Sequence, residues 1–221
     1  MKKLLLILLC LPLLFTTCKK EDNDPVAVLG CTDATAINYN SSATQDDESC
    51  TYDDIPTTNL AIGDTHQGGI VFYLDATGQH GFVCDFQDLG TAEWGCHDTL
   101  IAGADGIEIG EGYQNTIDIE AGCAKANTAA DYCANSSTQG YSDWFLPSKE
   151  ELNQMYLNKS YIDSIALSNG GSAFTTSYYW SSSESESKHD YDPSWGQYFG
   201  NGFQYGYDKS STCGVRAIRA F

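Results

Sequence analysis

The pattern of apolar and polar positions is sharpest between residues 141 and 156. The apolar run 144–146 predicts a short buried strand, and Pro147 ends it. Ser148 is placed as a helix N-cap, and Glu151 three residues later completes a capping box. Apolar residues then follow at helical spacing: Leu152, Met155 and Tyr156. The stretch therefore predicts a strand, a sharp turn and a capped helix, which we interpret as core scaffolding.

Shorter patterns predict an α+β domain of antiparallel hairpins and a few short helices. Bulky runs separated by glycine-containing turns predict two hairpins, and a final bulky run predicts a closing strand. The predicted strands are 70–74 with 82–86, 178–182, 195–199 with 203–207, and 213–220. The predicted helices are 114–121, 124–134 and 161–168. We expect both ends of this domain to enter one sheet.

Arg216 and Arg219 are the only arginines of the chain. Three residues apart on a strand, they point to opposite faces, so one of them faces inward and needs an acidic partner. The candidate partners are Asp143, Glu150 and Glu151. We predict a structural ion pair between Arg219 and Glu151.

The charge of the chain narrows the classes of partner. Its 221 residues include 11 Lys+Arg against 30 Asp+Glu, which gives a formal net charge of −19. Such a chain is repelled by nucleic acid and by anionic membrane surfaces. Its many carboxylates suit Ca²⁺, which is the only cofactor that we expect. The alternative is that most of this charge forms a solvated face that maintains solubility.

The N-terminus has the pattern of an export signal. Residues 1–17 combine two early lysines with an apolar run that is too short to span a membrane, and Cys18 follows. The tetrapeptide F-T-T-C at 15–18 resembles a lipobox. The resemblance implies that Cys18 becomes a lipidated N-terminus, carrying acyl chains such as palmitate, and anchors the protein to a membrane.

Residues 18–29 then form a polar tether. Two lysines followed by acidic residues directly after Cys18 resemble an export signal of Gram-negative lipoproteins. The resemblance implies anchoring in the outer membrane with exposure at the cell surface.

Residues 30–52 resemble a small cysteine-bounded module that accompanies many bacterial secreted domains. The resemblance implies a disulfide between Cys31 and Cys50, and a loop of this size is stabilised by roughly 3 kcal/mol. The residues between the cysteines are too polar to form a core. One alternative is that Ca²⁺ orders them, through candidate ligands Asp33, Asn38, Asn40, Asp46 and Asp47. The other is a disulfide-ordered spacer with Asx turns, which leads into a linker at 53–61.

A loop as long as the acidic segment 90–112 is expected either to be held by contacts with the rest of the domain or to have a function. Its carboxylates form a second candidate calcium cluster: Asp98, Asp105, Glu108 and Glu111. Two further disulfides are candidates, Cys96–Cys123 and Cys84–Cys213. By contrast, Cys123 and Cys133 on one continuous helix would lie too far apart to bond.

Five stretches in fixed order carry a family resemblance over residues 62–221. They are G-G-I-V-F-Y-L-D at 68–75, W-F-L-P-S-K-E-E-L at 144–152, Y-Y-W-S-S-S at 178–183, Q-Y-F-G-N-G at 197–202 and V-R-A-I-R-A-F at 215–221. Together they resemble the Lcl C-terminal domain family, which is named for a collagen-like adhesin. The resemblance implies a variant of the C-type-lectin-like fold.

We therefore expect a non-catalytic domain that binds an extracellular glycan or protein. The candidate contact residues are aromatic and lie in the second predicted hairpin: Trp195, Tyr198, Phe203, Tyr205 and Tyr207. Alternation along the strands would leave about half of them outward. The adhesin that names the family is associated with sulfated polysaccharides, which this acidic chain would repel.

Two alternatives stay open. One is a structural envelope component without a soluble ligand. The other is an enzyme, because the L-P-S turn at 146–148 also resembles the formylglycine-generating enzyme domain. Against an enzyme, the sequence has no cysteine pair that matches that family's motif, no Ser/His/Asp order and no zinc spacing.

The lipid anchor gives the first testable prediction. Cys18→Ala removes the thiol that acylation requires, so the variant should incorporate no labelled fatty acid and should leave the membrane fraction. The unchanged chain, labelled in parallel, is the control. A variant that still takes up the label would refute the anchor.

Overall fold

The computed structural model describes residues 27–34, 36–51, 60–185 and 193–221. The chain divides into two compact units, Met1–Pro56 and Thr57–Phe221. The predicted signal peptide, Cys18, and most of the predicted tether and linker lie outside the described residues. Among the residues that are described, no helix has both the length and the apolar character needed to cross a membrane.

The first unit is a set of turns closed by a disulfide. Cys31 and Cys50 are bonded, with their Cα atoms 4.8 Å apart, which confirms the predicted pairing. An isolated bridge joins Leu29 to Gln45. Cys31 and Ala36 are the buried apolar residues in the described part of this unit. Two small side chains cannot form a hydrophobic core, so the disulfide and local hydrogen bonds order the segment.

The described part of the second unit has the predicted α+β architecture, with two largely antiparallel sheets and short helices. One sheet has the strand order β1-β2-β3-β9, and the other has the order β4-β8-β5-β6-β7. The strands are β1 Thr65–His66, β2 Gly69–Leu74, β3 Gly81–Cys84, β4 Gly90–Glu93, β5 Tyr178–Glu184, β6 Pro193–Tyr198, β7 Gln204–Asp208, β8 Thr212–Val215 and β9 Ile218–Ala220. The α-helices are α1 Gly112–Gly122, α2 Ala129–Ala134, α3 Lys149–Leu157 and α4 Lys159–Ser168, and a 3₁₀ turn spans Thr138–Gly140.

The predicted closing strand 213–220 is wrong as a single element. The chain leaves the five-stranded sheet after Val215 and enters the four-stranded sheet at Ile218. Between them, the carbonyl of Ala217 accepts the N–H of Asp85, and the carbonyl of Val215 accepts the N–H of Leu89. The segment thus connects the two sheets. The expectation that both ends of the domain enter one sheet holds, because β1 and β9 belong to the same sheet.

The predicted strand 144–146 is reduced to one antiparallel bridge. Phe145 and Ile218 exchange two backbone hydrogen bonds, of 2.8 and 3.0 Å. The apolar run is nevertheless buried, since Trp144, Phe145 and Leu146 are at most 3 % exposed. Burial of each such side chain stabilises the fold by about 1.5–3 kcal/mol.

Two hydrophobic clusters fill the second unit. The first contains Trp94, Trp144 and Trp180 together with apolar residues of α1 and α2. The second packs α3 and α4, through Leu152, Met155 and Ile162 among others, against the four-stranded sheet. The helix α2 begins only at Ala129, later than predicted, because the Thr128 side chain accepts the Asp131 N–H and caps it there.

The predicted capping box of α3 is confirmed. The Ser148 side chain accepts the Glu151 N–H, and the Glu151 carboxylate accepts the Ser148 N–H at 2.7 Å. The same carboxylate accepts the N–H of Gly110 at 2.8 Å, so it also holds the end of the long loop. Burial raises the pKa of Glu151 to about 7, although the backbone N–H groups of Ser148, Gly110 and Gly112 oppose the rise.

The predicted ion pair between Arg219 and Glu151 is wrong. Arg219 instead forms a bidentate pair with Asp143, with both N–O distances at 2.7 Å. The Phe145–Ile218 bridge runs antiparallel, so it brings Asp143 alongside the end of β9. The Glu151 carboxylate instead accepts the backbone N–H groups of Ser148, at the start of α3, and of Gly110, in the long loop. The expectation that only one arginine is inward is also wrong, since Arg216 and Arg219 are 1 % and 6 % exposed.

Of the two further candidate disulfides, one forms. Cys96 and Cys123 are bonded, with a Cα–Cα distance of 5.5 Å, and join the long loop to the end of α1. The candidate pair Cys84–Cys213 is wrong, because the two thiols lie in different hydrophobic clusters. Cys133 is also free and buried.

The long loop is further pinned by a buried ion pair. Lys209, which is fully buried, contacts the carboxylate of Glu184, itself 5 % exposed. The Lys209 ammonium also donates to the Thr99 carbonyl, and the Glu184 carboxylate accepts the Ile101 N–H. The loop therefore has contacts that explain its length without a metal ion.

Lys209→Met should destabilise the protein by about 3–5 kcal/mol, because it leaves the buried Glu184 carboxylate unpaired. Chemical denaturation measures the loss. Adding Glu184→Gln to this variant should recover part of it. Lys159→Met is the matched control, since its partner Asp163 is one helical turn away and more exposed, and it should cost less than about 1 kcal/mol. Equal costs for the two lysines would contradict the structural role of the buried pair.

Glu151 gives a pH-dependent prediction. Its pKa is raised from 4.5 to about 7 in the folded protein, so the folded state holds the proton more tightly than the unfolded state. Its contribution to stability is therefore full below pH 4.5 and is lost as the pH rises through about 7, by at most about 3 kcal/mol.

The free energy of unfolding, measured from pH 4.5 to 8, should fall more steeply in the unchanged protein than in Glu151→Gln. Glu150→Gln removes the neighbouring carboxylate of the same helix and is the control, which should keep the steep profile. Parallel profiles for the unchanged protein and Glu151→Gln would show that Glu151 does not titrate in this range.

Candidate ligand-binding face

The strand register places six aromatic side chains on one face of β5, β6 and the β7 hairpin, of which Trp180 is fully buried in the core and the other five are not. Tyr178 is the cross-strand partner of Tyr198, and the Tyr198 N–H donates to the Phe203 carbonyl. Alternation along β7 then returns the side chains of Tyr205 and Tyr207 to the same face. We call Tyr178, Tyr198, Phe203, Tyr205 and Tyr207 the aromatic face.

Ring contacts make the aromatic face continuous. Tyr178 lies 5.0 Å from Tyr198 and 4.4 Å from Tyr207, measured between ring centroids. Tyr205 lies 5.6 Å from Tyr207 and 6.1 Å from Phe203. Aromatic pairs at such distances stabilise each other by about 0.5–1.5 kcal/mol, so the rings are held in place before any ligand binds.

Exposure differs across the face. Phe203 and Tyr205 are 56 % and 48 % exposed, and both belong to the hairpin arm at the edge of the five-stranded sheet. Tyr178 and Tyr207 are half-buried and pack against the first hydrophobic cluster. Burial and the neighbouring Tyr178 hydroxyl raise the pKa of Tyr207 to about 12, so this hydroxyl stays protonated at neutral pH. The face thus has an anchored inner part and an accessible outer part.

Trp195, which was predicted with this group, lies on the opposite face of the sheet. It pairs with Gly206 across the strands, and the Lys149 ammonium lies 4.1 Å from its ring centroid. Two of the five predicted residues, Phe203 and Tyr205, are exposed, which agrees with the expectation that about half of them point outward. Four of the five share one face of the sheet. Sequence reasoning missed Tyr178. Its membership follows from the pairing of β5 with β6, which the sequence does not reveal.

In the first unit, the side chains of four candidate calcium ligands form hydrogen bonds with backbone groups of the same unit. Three of them accept an N–H two residues ahead, as Asx turns do, and Asn38 bridges Ser49 and Thr51. The Asx turns are Asn40 to Ser42, Asp46 to Glu48 and Asp47 to Ser49. Asp33 also has an interaction partner. These contacts favour the disulfide-ordered spacer, and Ca²⁺ binding stays a prediction.

In the second candidate calcium cluster, one carboxylate also forms a local hydrogen bond: that of Glu111 accepts the Glu108 N–H at 2.8 Å. Throughout the described ranges, no three His, Cys, Asp or Glu side chains converge as a metal site.

The free thiols are unsuited to nucleophilic chemistry. Burial raises the pKa of Cys84 and of Cys213 to about 12, and it raises the pKa of Cys133 well above its ordinary value. The thiolate is the reactive form of cysteine, so these groups are unreactive at neutral pH. The three free cysteines in the described residues therefore do not support the enzyme alternative.

Comparison with known proteins identifies the second unit. No curated protein matches the chain significantly. The sequence profile of the Lcl C-terminal domain matches residues 92–219, which is more than half of the chain and includes every member of the aromatic face. This is an adhesin-type family. The chain therefore belongs to the Lcl C-terminal domain family.

Proposed function

We propose that this protein is a lipid-anchored surface protein whose Lcl C-terminal domain binds an extracellular glycan or protein through the aromatic face. The observation that carries the proposal is the pair of half-exposed rings, Phe203 and Tyr205, at the edge of an otherwise packed aromatic cluster. The C-type-lectin-like fold that the family resemblance implies agrees with a binding role.

The chemistry of the face suits ligands with flat apolar surfaces. The Phe203 and Tyr205 rings are stacked with an interplanar angle of 20°, so they offer two nearly parallel planes. Pyranose rings and aromatic side chains both stack on such planes, while tyrosine hydroxyls can form hydrogen bonds at the edge. The rings are fixed by their neighbours, which lowers the entropic cost of binding.

Charge restricts the ligand further. A formal net charge of −19 disfavours sulfated or otherwise polyanionic glycans. We therefore propose a neutral glycan or a protein surface as the ligand.

The remainder of the proposal rests on the N-terminal sequence. Lipidation at Cys18 and the tether at 18–29 would hold the domain at the outer surface of the outer membrane. The acidic module 30–52 follows the tether in the sequence, and Ca²⁺ remains its proposed ligand.

The decisive experiment screens the full chain against a glycan panel and extracellular matrix proteins, with calcium and then with chelator. The double variant Phe203→Ala/Tyr205→Ala should weaken saturable binding by about tenfold or more, since exposed aromatic anchors dominate such interfaces. Chelator should weaken binding only if Ca²⁺ orders the site.

Tyr161→Ala is the matched control, because Tyr161 is 58 % exposed on α4 and has no part in the aromatic face. It should bind as the unchanged protein does. Saturable binding that survives the double variant would place the ligand elsewhere. Absence of any binding would favour the structural envelope component.

A further inference from the structure

A second concave site lies on a different part of the domain and shares no residue with the aromatic face. It is a cavity of about 480 Å³ between α1, the end of α2 and the segment before α3. Its size is within the range of small-molecule sites. The residues that matter for its chemistry are Tyr113, Ile117, Glu120, Asp143, Trp144 and Phe145. We call this cavity the α1 pocket.

Aromatic and aliphatic groups form most of the pocket wall. Tyr113 and Phe145 meet edge to face, with ring centroids 5.6 Å apart and an interplanar angle of 78°. Trp144 and Phe145 are only 2 % and 3 % exposed, so they are fixed by the core behind them. Tyr113 and Ile117 are 53 % and 42 % exposed on the outer turns of α1. The pocket is therefore a preformed apolar corner that opens to solvent.

The wall has few free hydrogen-bond donors. The indole N–H of Trp144 donates to the Thr138 carbonyl at 3.2 Å, and the backbone N–H of Phe145 donates to Ile218. The hydroxyl of Thr116, another lining residue, donates to the Gly112 carbonyl. The other side-chain donors of the wall are the hydroxyl groups of Tyr113 and Ser142. An anion needs several converging donors, and this pocket does not offer them.

The charged groups of the wall are acceptors. All ten lining residues are described, and Glu120 and Asp143 are the ionisable acids among them, with no Lys, Arg or His. Arg219 neutralises Asp143, so Glu120 supplies the uncompensated charge. Asp131 lies beside Glu120, and burial together with this second carboxylate raises the pKa of Glu120. A cation bound there would relieve the repulsion between the two acids.

We propose that the α1 pocket binds an organic cation with an apolar stem, namely an alkylguanidinium or alkylammonium group. The cationic head would lie at Glu120, and the stem would pack against Tyr113, Trp144 and Phe145. Carboxylates and aromatic rings both attract such cations, and each effect is stronger in a partly desolvated site. The same chemistry is found in an arginine or lysine side chain of a protein partner and in a free amine or guanidine.

The test titrates the full chain with three probes by calorimetry or NMR. n-Butylguanidinium represents the free cation, N-acetylarginine methylamide represents a peptide side chain, and N-acetylcitrulline methylamide has the same shape without the charge. Both cations should bind saturably, and the citrulline probe should bind about tenfold more weakly or not at all. Tighter binding of N-acetylarginine methylamide would indicate that the natural ligand is an arginine side chain of a protein. Tighter binding of n-butylguanidinium would indicate that it is a free cation.

Variants on α1 distinguish binding of the cation in the pocket from non-specific electrostatic attraction to an acidic protein. Glu120→Gln should weaken cation binding about tenfold, whereas Asp118→Asn removes the same charge two residues earlier and should leave binding unchanged. Asp118 faces away from the pocket, towards Gly103. Ala121→Leu should block the pocket and abolish binding without a change of charge. Melting temperatures confirm that each variant is folded.

Three results would overturn the proposal. These are equal binding of the citrulline probe, equal losses in Glu120→Gln and Asp118→Asn, and no saturation by about 10 mM of either cation. None of them bears on the aromatic face, whose ligand is tested separately.

Discussion

The second unit depends on the guanidinium of Arg216, at the point where the chain passes from one sheet to the other. This group donates to the Asp88 carboxylate at 2.7 Å and to the carbonyl and hydroxyl of Ser172, and it lies over the Phe174 ring. Asp88 in turn accepts the Tyr179 hydroxyl. Burying such a charge is costly unless it is paired, so Asp88 and Ser172 stabilise Arg216 at the crossing between the sheets. The network therefore couples the two sheets.

This coupling determines where the candidate site can lie. In the five-stranded sheet, β5 pairs with β8 on one side and with β6 on the other, while the continuation of β8 joins the other sheet. The β6–β7 hairpin is left as the outer arm of the five-stranded sheet. Its inner aromatic residues pack on the core, and its outer ones face solvent. The accessible rings are thus a result of the sheet order and not of local composition.

Local features could be predicted from the sequence, and long-range ones could not. The capping box of Ser148 and Glu151, the two hairpins and the helices α1, α3 and α4 are determined by residues a few positions apart, so pattern alone identified them. The partner of Arg219 depends on the bridge between Phe145 and Ile218, which no periodicity encodes. Nor does any periodicity show that Cys84 and Cys213 stay unpaired, because this depends on their burial in two different hydrophobic clusters.

For the candidate site too, local features could be predicted from the sequence and long-range ones could not. The sequence identified four of the five aromatic residues by type, because bulky alternation marks the hairpin. Alternation along the predicted strand 195–199 already separates Trp195 from Tyr198, which are three residues apart. Tyr178 could not be added, since its place depends on the pairing of β5 with β6. The α1 pocket was missed entirely, because its wall combines a helix face with a segment about 30 residues later in the chain.

The three buried, reduced thiols impose an order of events on an exported chain. In an oxidising compartment, an unfolded chain exposes every cysteine to disulfide exchange, which takes seconds to hours. Cys84, Cys133 and Cys213 escape oxidation only if the core closes around them first, while Cys96 and Cys123 must still find each other. If the protein is exported, as we propose, its maturation depends on whether the core forms faster than its cysteines are oxidised. Slow-folding variants would accumulate as mispaired isomers even when their native state is stable.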